Sequence, residues 1–304
     1  MNEEVKMMDT ILKTTNIVKK YGNKIVLKNV SMNIRKGDIY GFIGKNGAGK
    51  TTFMRTVLSL TPIDGGEVVY YEDKKIEDIG LKVGSLIESP GLYKNATATE
   101  NLKRFSILYG ADEAKIPEIL KIVGLSDTGN KKVKDFSLGM KQRLGIAFAL
   151  LGDPELLLLD EPINGLDPEG IKEIRDVILK LNKEKNITFL ISSHLLDELS
   201  KIVTRYGIIN DGELIEEIDA KELHEKCKNK LVIECDNPKK AKTIIEKSVP
   251  EEDIKVKEKR VEITEKVKES GKLNKELVSA GITVNALYVS EDSLEDYFMK
   301  RIGE

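Results

Sequence analysis

The chain has 304 residues with 49 Lys and Arg against 51 Asp and Glu, a net charge of −2 at pH 7, which gives no basic face from bulk charge and argues against a nucleic-acid partner. Its two cysteines, Cys227 and Cys235, stand outside any tight Cys/His cluster, which argues against a disulfide framework or structural zinc and suits free thiols in a reducing cytosol. No apolar run approaches the roughly 20 residues of a membrane span, and Met1-Asn2-Glu3-Glu4-Val5-Lys6 lacks the apolar core of a secretory signal. A cytoplasmic protein is expected, with any membrane span supplied by a partner, and the length suits one large domain and a smaller one.

In chain order, residues 11–16, 25–34 and 39–43 read as strands, with turn signals at Tyr21-Gly22-Asn23 and Lys36-Gly37-Asp38. The run Gly44-Lys45-Asn46-Gly47-Ala48-Gly49-Lys50-Thr51 follows, and it fits the phosphate-cradling pattern G-x-x-x-x-G-K-[ST]. Glycines let backbone N–H groups close on phosphate oxygens without a clashing Cβ. Lys50 can set its ammonium between the β- and γ-phosphates, and the Thr51 hydroxyl can ligate Mg²⁺. Thr52 opens a helix over 51–60, so the loop sits at a helix N-terminus where the dipole favours an anion. Residues 44–52 are therefore the candidate nucleotide-binding segment.

Gly65-Gly66 leads to a short strand over 67–71, and from about 99 to 151 the patterns are helical, at 100–109, 114–123 and 138–151. Ser137 reads as a helix N-cap. Residues 156–159 and 187–191 are unbroken apolar runs, as in parallel strands buried on both faces, and a helix over 170–182 joins them into a βαβ unit. The first run ends in Asp160-Glu161. Asp160 is placed to hold Mg²⁺ directly or through water, and Glu161 to act as general base on an attacking water.

After residue 222 Lys and Glu dominate and the apolar pattern thins to alternation. Residues 223–304 predict a small α+β domain of order β-α-β-β-α-β, with strands at 231–235, 254–256, 261–263 and 283–289 and helices at 241–248 and 273–280. A last helix, capped at Ser293-Leu294-Glu295-Asp296, follows. Its charge reads as a solvated surface. No repeat or low-complexity segment is present, and no catalytic constellation is found there.

With Phe136-Ser137-Leu138-Gly139-Met140-Lys141-Gln142-Arg143 before a helix, the chain resembles the ATP-binding-cassette (ABC) ATPases over roughly residues 12–222. The commonest form of their signature is L-S-G-G-Q; this chain keeps Ser137 and Gly139, the phosphate-facing pair. The resemblance implies that these two grip the γ-phosphate held by a second subunit. It also implies that Tyr21 stacks on adenine, that Asp167 in Asn164-Gly165-Leu166-Asp167 communicates across the dimer, and that His194 after Ile191-Ser192-Ser193 contacts the γ-phosphate and the water. The expected fold is a P-loop α/β, RecA-like core with an antiparallel β subdomain and a helical subdomain (about 89–151), preceded by an extension (1–11) and followed by the small α+β domain (223–304).

The family usually has a glutamine where this chain has Glu88, in Gly84-Ser85-Leu86-Ile87-Glu88-Ser89-Pro90. A carboxylate there is a harder, charged ligand for Mg²⁺ and adds repulsion near the γ-phosphate. Glu88, the stretch from Leu92 to Leu102, Glu161-Pro162-Ile163-Asn164-Gly165-Leu166-Asp167-Pro168 and Ser293-Leu294-Glu295-Asp296-Tyr297-Phe298 resemble the subgroup that exports peptide antibiotics, the bacitracin-resistance and lantibiotic-immunity ATPases. That implies an ATP- and Mg²⁺-dependent homodimer, peripheral on the inner face of the cell membrane through a separate permease.

Overall fold

A computed structural model describes residues 10–71, 73–227, 230–264, 269–290 and 294–303. The chain divides into two compact units, Met1–Ala220 and Lys221–Glu304. The first begins with strands β1 (Thr10–Tyr21), β2 (Lys24–Arg35) and β3 (Ile39–Ile43), helix α1 (Lys50–Val57), β4 (Gly65–Tyr70), a short α2 (Ile76–Ile79) and β5 (Val83–Leu86). Helices α3 (Ala98–Tyr109), α4 (Ile116–Ile122) and α5 (Leu138–Ala149) follow. Then come β6 (Leu156–Asp160), α6 (Pro168–Lys185), β7 (Thr188–Ser193), a short α7 (Leu196–Leu199), β8 (Arg205–Asn210) and β9 (Glu213–Asp219); helix α8 (Ala220–Lys226) starts at the boundary, with all but its first residue in the second unit.

Two sheets build the first unit. The larger has the order β5-β6-β7-β3-β8-β9. Its first five strands run parallel, and β9 closes the edge antiparallel. Every residue of β3, β6 and β7 is buried, which is why residues 156–159 and 189–191 are unbroken apolar runs rather than alternations, with polar residues only at the ends of β6 and β7. Tyr40 of β3 fills the space over Gly207, where a Cβ would collide with its hydroxyl. That hydroxyl donates to Glu217 Oε1 at 2.8 Å, and burial pushes its pKa far up. The smaller sheet is antiparallel, β2-β1-β4. Ile11, Leu12, Ile17 and Leu27 of that sheet share one core with Phe53 and Met54 of α1 and Phe42 of β3.

The sequence predicts that the first strand ends at Asn16; the structure carries it to Tyr21. Asn16 sits at φ 51 and the register with β2 shifts between Thr14 and Ile17. This bulge lets Leu12 and Ile17 both reach the core despite their odd spacing. The helix expected from Glu100 starts two residues earlier, because Thr97 accepts from Glu100 N at 3.1 Å and Glu100 Oε2 accepts from Thr97 N at 2.7 Å, a closed capping box. β8 and β9 have no counterpart among the strands expected from sequence. β9 is a half-exposed edge strand of Glu, Leu, Ile and Asp whose alternation is too charged to signal itself.

The second unit contains β10 (Lys230–Cys235), α9 (Pro238–Ile245), β11 (Ile254–Lys257), β12 (Arg260–Ile263), α10 (Ser270–Ser279), β13 (Val284–Ser290) and α11 (Leu294–Arg301). Its sheet order is β11-β12-β10-β13 with every neighbour antiparallel. β12 thus lies between the strands that α9 connects, the split β-α-β arrangement of ferredoxin-like sheets. Leu231, Ile233, Val261 and Ile263 pack against Ala241, Ile245, Leu273 and Leu277, a core of its own. The expected cap at Ser293 lies outside the described residues, as does most of the extension expected over 1–11.

Candidate nucleotide site

The segment 44–49 joins β3 to α1 at the carboxyl end of the parallel sheet, where α/β folds hold ligands. Gly47 and Gly49 adopt φ +84 and +108, a region that L side chains rarely enter. Gly44 is required by space instead, since a Cβ there would fall 2.5 Å from Ile209 O. The loop is held from behind by the β8–β9 turn: Gly212 N donates to Ala48 O at 3.0 Å, and Lys28 N of β2 donates to Gly212 O at 2.8 Å. The Asp211-Gly212 pair is a hairpin signal in the sequence, but nothing in it says that the hairpin would brace this loop.

Lys50 is buried at the first turn of α1, and its Nζ donates to Gly44 O at 2.6 Å and Lys45 O at 3.2 Å. The same ammonium lies 3.2 Å from Glu161 Oε1, close enough for an ion pair but without hydrogen-bond alignment. Thr51 Oγ1 donates to Asp160 Oδ2 at 2.7 Å. Asp160 is buried, and its other oxygen accepts from Ser192 Oγ at 2.5 Å.

Glu161 turns out of β6 at φ 48, a left-handed backbone. Its N–H donates to Ser192 Oγ at 2.9 Å and Ser192 O at 3.2 Å, which holds that conformation. The carboxylate then spans two partners, Lys50 on Oε1 and His194 Nδ1 at 2.9 Å from Oε2. Lys50, Thr51, Asp160, Glu161 and His194 are therefore brought together by α1, β6 and β7. Ser192 binds both acidic residues and is the member that sequence reasoning misses. A serine at a strand end has no motif of its own; only the β6–β7 register, Asp160 opposite Ser192, gives it this work.

Other candidates lie apart from that cluster. Tyr21 stands at the β1–β2 turn, 49 % exposed, with the Lys19 ammonium 5.1 Å from its ring centre. Ser137 caps α5, accepting from Met140 N at 3.2 Å, and Asp167 caps α6, accepting from Gly170 N at 3.0 Å. Ser137, Gly139 and Asp167, with Arg143, line a groove of about 480 Å³ between the N-termini of these two helices. Glu88 does not join Thr51 and Asp160. It sits at φ 60, and its carboxylate accepts from Arg55 Nη2 at 2.6 Å.

Among the described residues no group of three or more His, Cys, Asp or Glu could hold a metal ion. The available donors are two hard oxygens, Thr51 Oγ1 and a carboxylate oxygen of Asp160. That set suits Mg²⁺, which keeps waters and substrate phosphates and takes only one or two protein ligands.

The family model described as ABC transporter matches residues 27–164. The bacitracin transport ATP-binding protein BcrA of Bacillus licheniformis is 45% identical, over 97% of this chain and 98% of that protein. The chain belongs to the ABC transporter ATP-binding proteins. The lantibiotic transport ATP-binding protein SrtF of Streptococcus pyogenes is 43% identical to it over 74% of this chain and 99% of SrtF's own length. Among solved structures, the ADP conformation of MJ1267, an ATP-binding cassette of an ABC transporter, has a TM-score of 0.65 at 30% identity, covering 70% of this chain and 92% of that one. A dimeric post-hydrolysis state of the cassette MJ0796 bound to ADP and Pi has a TM-score of 0.60 at 27% identity, covering 69% and 99%. The ABC chain is thus a nucleotide-binding ATPase subunit. No helix among its described residues is long and apolar enough to cross a membrane.

Proposed function

We propose that this ABC ATPase powers a separate membrane permease that exports a peptide antibiotic of the bacitracin or lantibiotic type, for self-protection or resistance. The observation that carries this is the 45% identity to a bacitracin transport subunit across both units of the chain rather than the cassette alone. In this reading the protein lies on the inner face of the cell membrane, held there by its permease, and two copies close on two ATP molecules.

The residues divide the work. The loop amides of residues 44–52 and the Lys50 ammonium cradle the phosphates, and Tyr21 stacks on adenine. Thr51 and Asp160 hold Mg²⁺, which when bound neutralises phosphate charge. Glu161 takes a proton from the attacking water. His194 fixes one carboxylate oxygen of Glu161, and arriving phosphates draw Lys50 off the other. Ser137 and Gly139 of a second copy close over the γ-phosphate, and Asp167 passes that closure between sites. Gly139 supports such an outward role: a Cβ there would meet nothing nearer than Gly170 Cα at 3.7 Å, so packing within the chain does not demand glycine. Phosphoryl transfer needs little covalent help, and positioning with charge neutralisation supplies most of the rate.

ATPase activity against protein concentration, with Glu161→Gln alongside, tests the motor. The rate per chain is expected to rise with concentration and to vanish in the variant. Co-expression with the permease is expected to protect cells from bacitracin or a lantibiotic, and not with Glu161→Gln. Parental hydrolysis by the variant would remove Glu161 as the base, and equal protection by both chains would remove ATP hydrolysis as the driving force for export.

A further inference from the structure

The segment 86–90 leads from β5 toward α3, and it touches two helices that matter to the site. On one side Glu88 takes a hydrogen bond of 2.6 Å from Arg55, five residues past Lys50 on α1. On the other side the segment packs against α5, the helix that Ser137 caps. A Cβ on Gly145 of α5 would fall 2.8 Å from Leu86 Cδ1 and 3.1 Å from Pro90 Cγ. Ile87, between them, packs on the main core. The segment is thus bound to α5 by close packing and to the phosphate-loop helix by a charge pair.

We propose that Arg55 is a positioning residue for the ATPase reaction: its guanidinium holds Glu88, sets the register of segment 86–90 between α1 and α5, and keeps the Glu88 carboxylate off the bound phosphates. This rests on the nucleotide site described above. The physical need is specific to glutamate. Glu88 sits in a left-handed backbone, which persists only where neighbours hold it. A carboxylate released near Thr51 and Asp160 would repel a polyphosphate. Arg55 offsets that charge through a hydrogen bond from Nη2 to one carboxylate oxygen, on a planar guanidinium that stays charged. A glutamine would need no such partner. Both side chains are exposed, 39% for Arg55 and 63% for Glu88, so the pair is screened by salt.

The test is a double-mutant cycle in the full chain: parent, Arg55→Gln, Glu88→Gln and the pair. The dissociation constant of a fluorescent ATP analogue is read with EDTA and with Mg²⁺, at low and high salt, with ATPase rates beside it and thermal unfolding to confirm folding. Arg55→Gln is expected to weaken analogue binding about two- to fivefold when Glu88 is present, the scale of an exposed pair, and less than about 1.5-fold in the Glu88→Gln background. The difference should shrink in about 0.5 M salt. Arg55→Lys, which keeps the charge and loses the planar guanidinium, should fall between. Equal effects of Arg55→Gln in both backgrounds would mean two independent charges and would overturn the proposal. A folded parent that bound no analogue, with or without Mg²⁺, would overturn the nucleotide site and the Arg55 role with it.

Discussion

Glu161 faces Lys50 and His194 with separate oxygens, so its charge is matched on one side and its orientation fixed on the other. Removing that charge leaves the loop and its glycines in place. Glu161→Gln is therefore expected to lower turnover by about 10²-fold or more while ATP binding changes by less than about threefold, as read by ATPase assay and analogue titration. Ser192 offers a second, less obvious handle. Its hydroxyl donates to Asp160 and accepts from Glu161 N, so Ser192→Ala takes the Ser192 donor from a buried carboxylate oxygen and leaves the Glu161 N–H only its longer bond to the residue 192 carbonyl. A loss of about 1–3 kcal/mol in unfolding free energy is expected, with Ser192→Thr recovering most of it, measured by chemical denaturation. Lys50 and Thr51 are legible in the sequence because consecutive residues, Gly44 to Thr51, carry their pattern. Ser192 is not, since its partners lie 32 and 31 residues away and meet it only through strand pairing.

Among the elements, the close approach of β5 and α5 sets the tightest limits. Gly145 has no room for a methyl, and Gly145→Ala is expected to cost about 1–3 kcal/mol in thermal or chemical unfolding by overpacking Leu86 and Pro90. Glu155, just before β6, ties three chain segments by pairing with Lys82 at 2.7 Å and Lys36 at 3.3 Å. The Lys82 hydrogen bond, opposed by partial burial and helped by Lys36, holds its carboxyl below the ordinary value of 4.5. A folded-state pKa below the unfolded one stabilises the protein above about pH 4.5 and loses that contribution as pH falls through the folded value. Glu155→Gln should thus lower stability by about 0.5–1 kcal/mol at pH 7, and the gap from the parent should close in acid, seen in unfolding curves from about pH 7 to 3. Strands β3, β6 and β7 are readable as runs because both faces are covered. The bulge at Asn16 and the brace formed by β8 and β9 depend on pairing partners, and local sequence carries only their turn residues.

For the molecule as a whole, the division near Ala220 carries a prediction of its own. Leu231, Ile233, Val261, Leu273 and Leu277 close a core within the second unit. SrtF, which matches only 74% of this chain and yet is itself 99% covered, is about the size of the first unit. A chain ending at Cys227, which keeps α8 whole, is expected to fold and to bind ATP within about threefold of the full chain, measured by thermal unfolding and titration. An insoluble or non-binding fragment would show that the cassette depends on the second unit.

Sequence alone determined the nucleotide chemistry, the family resemblance and the order of the second unit's elements along the chain. Each of these is written in contiguous residues: a glycine-rich loop, an apolar strand ending in Asp-Glu, alternation between helices. Tertiary structure decided which distant groups meet. It placed Ser192 between Asp160 and Glu161, set the β8–β9 turn behind the phosphate loop, and gave Glu88 to Arg55 rather than to the Thr51–Asp160 pair. The physical reason is that backbone conformation and motif spacing are local, while hydrogen bonds and ion pairs between strands follow from register and packing, which no short window of sequence contains.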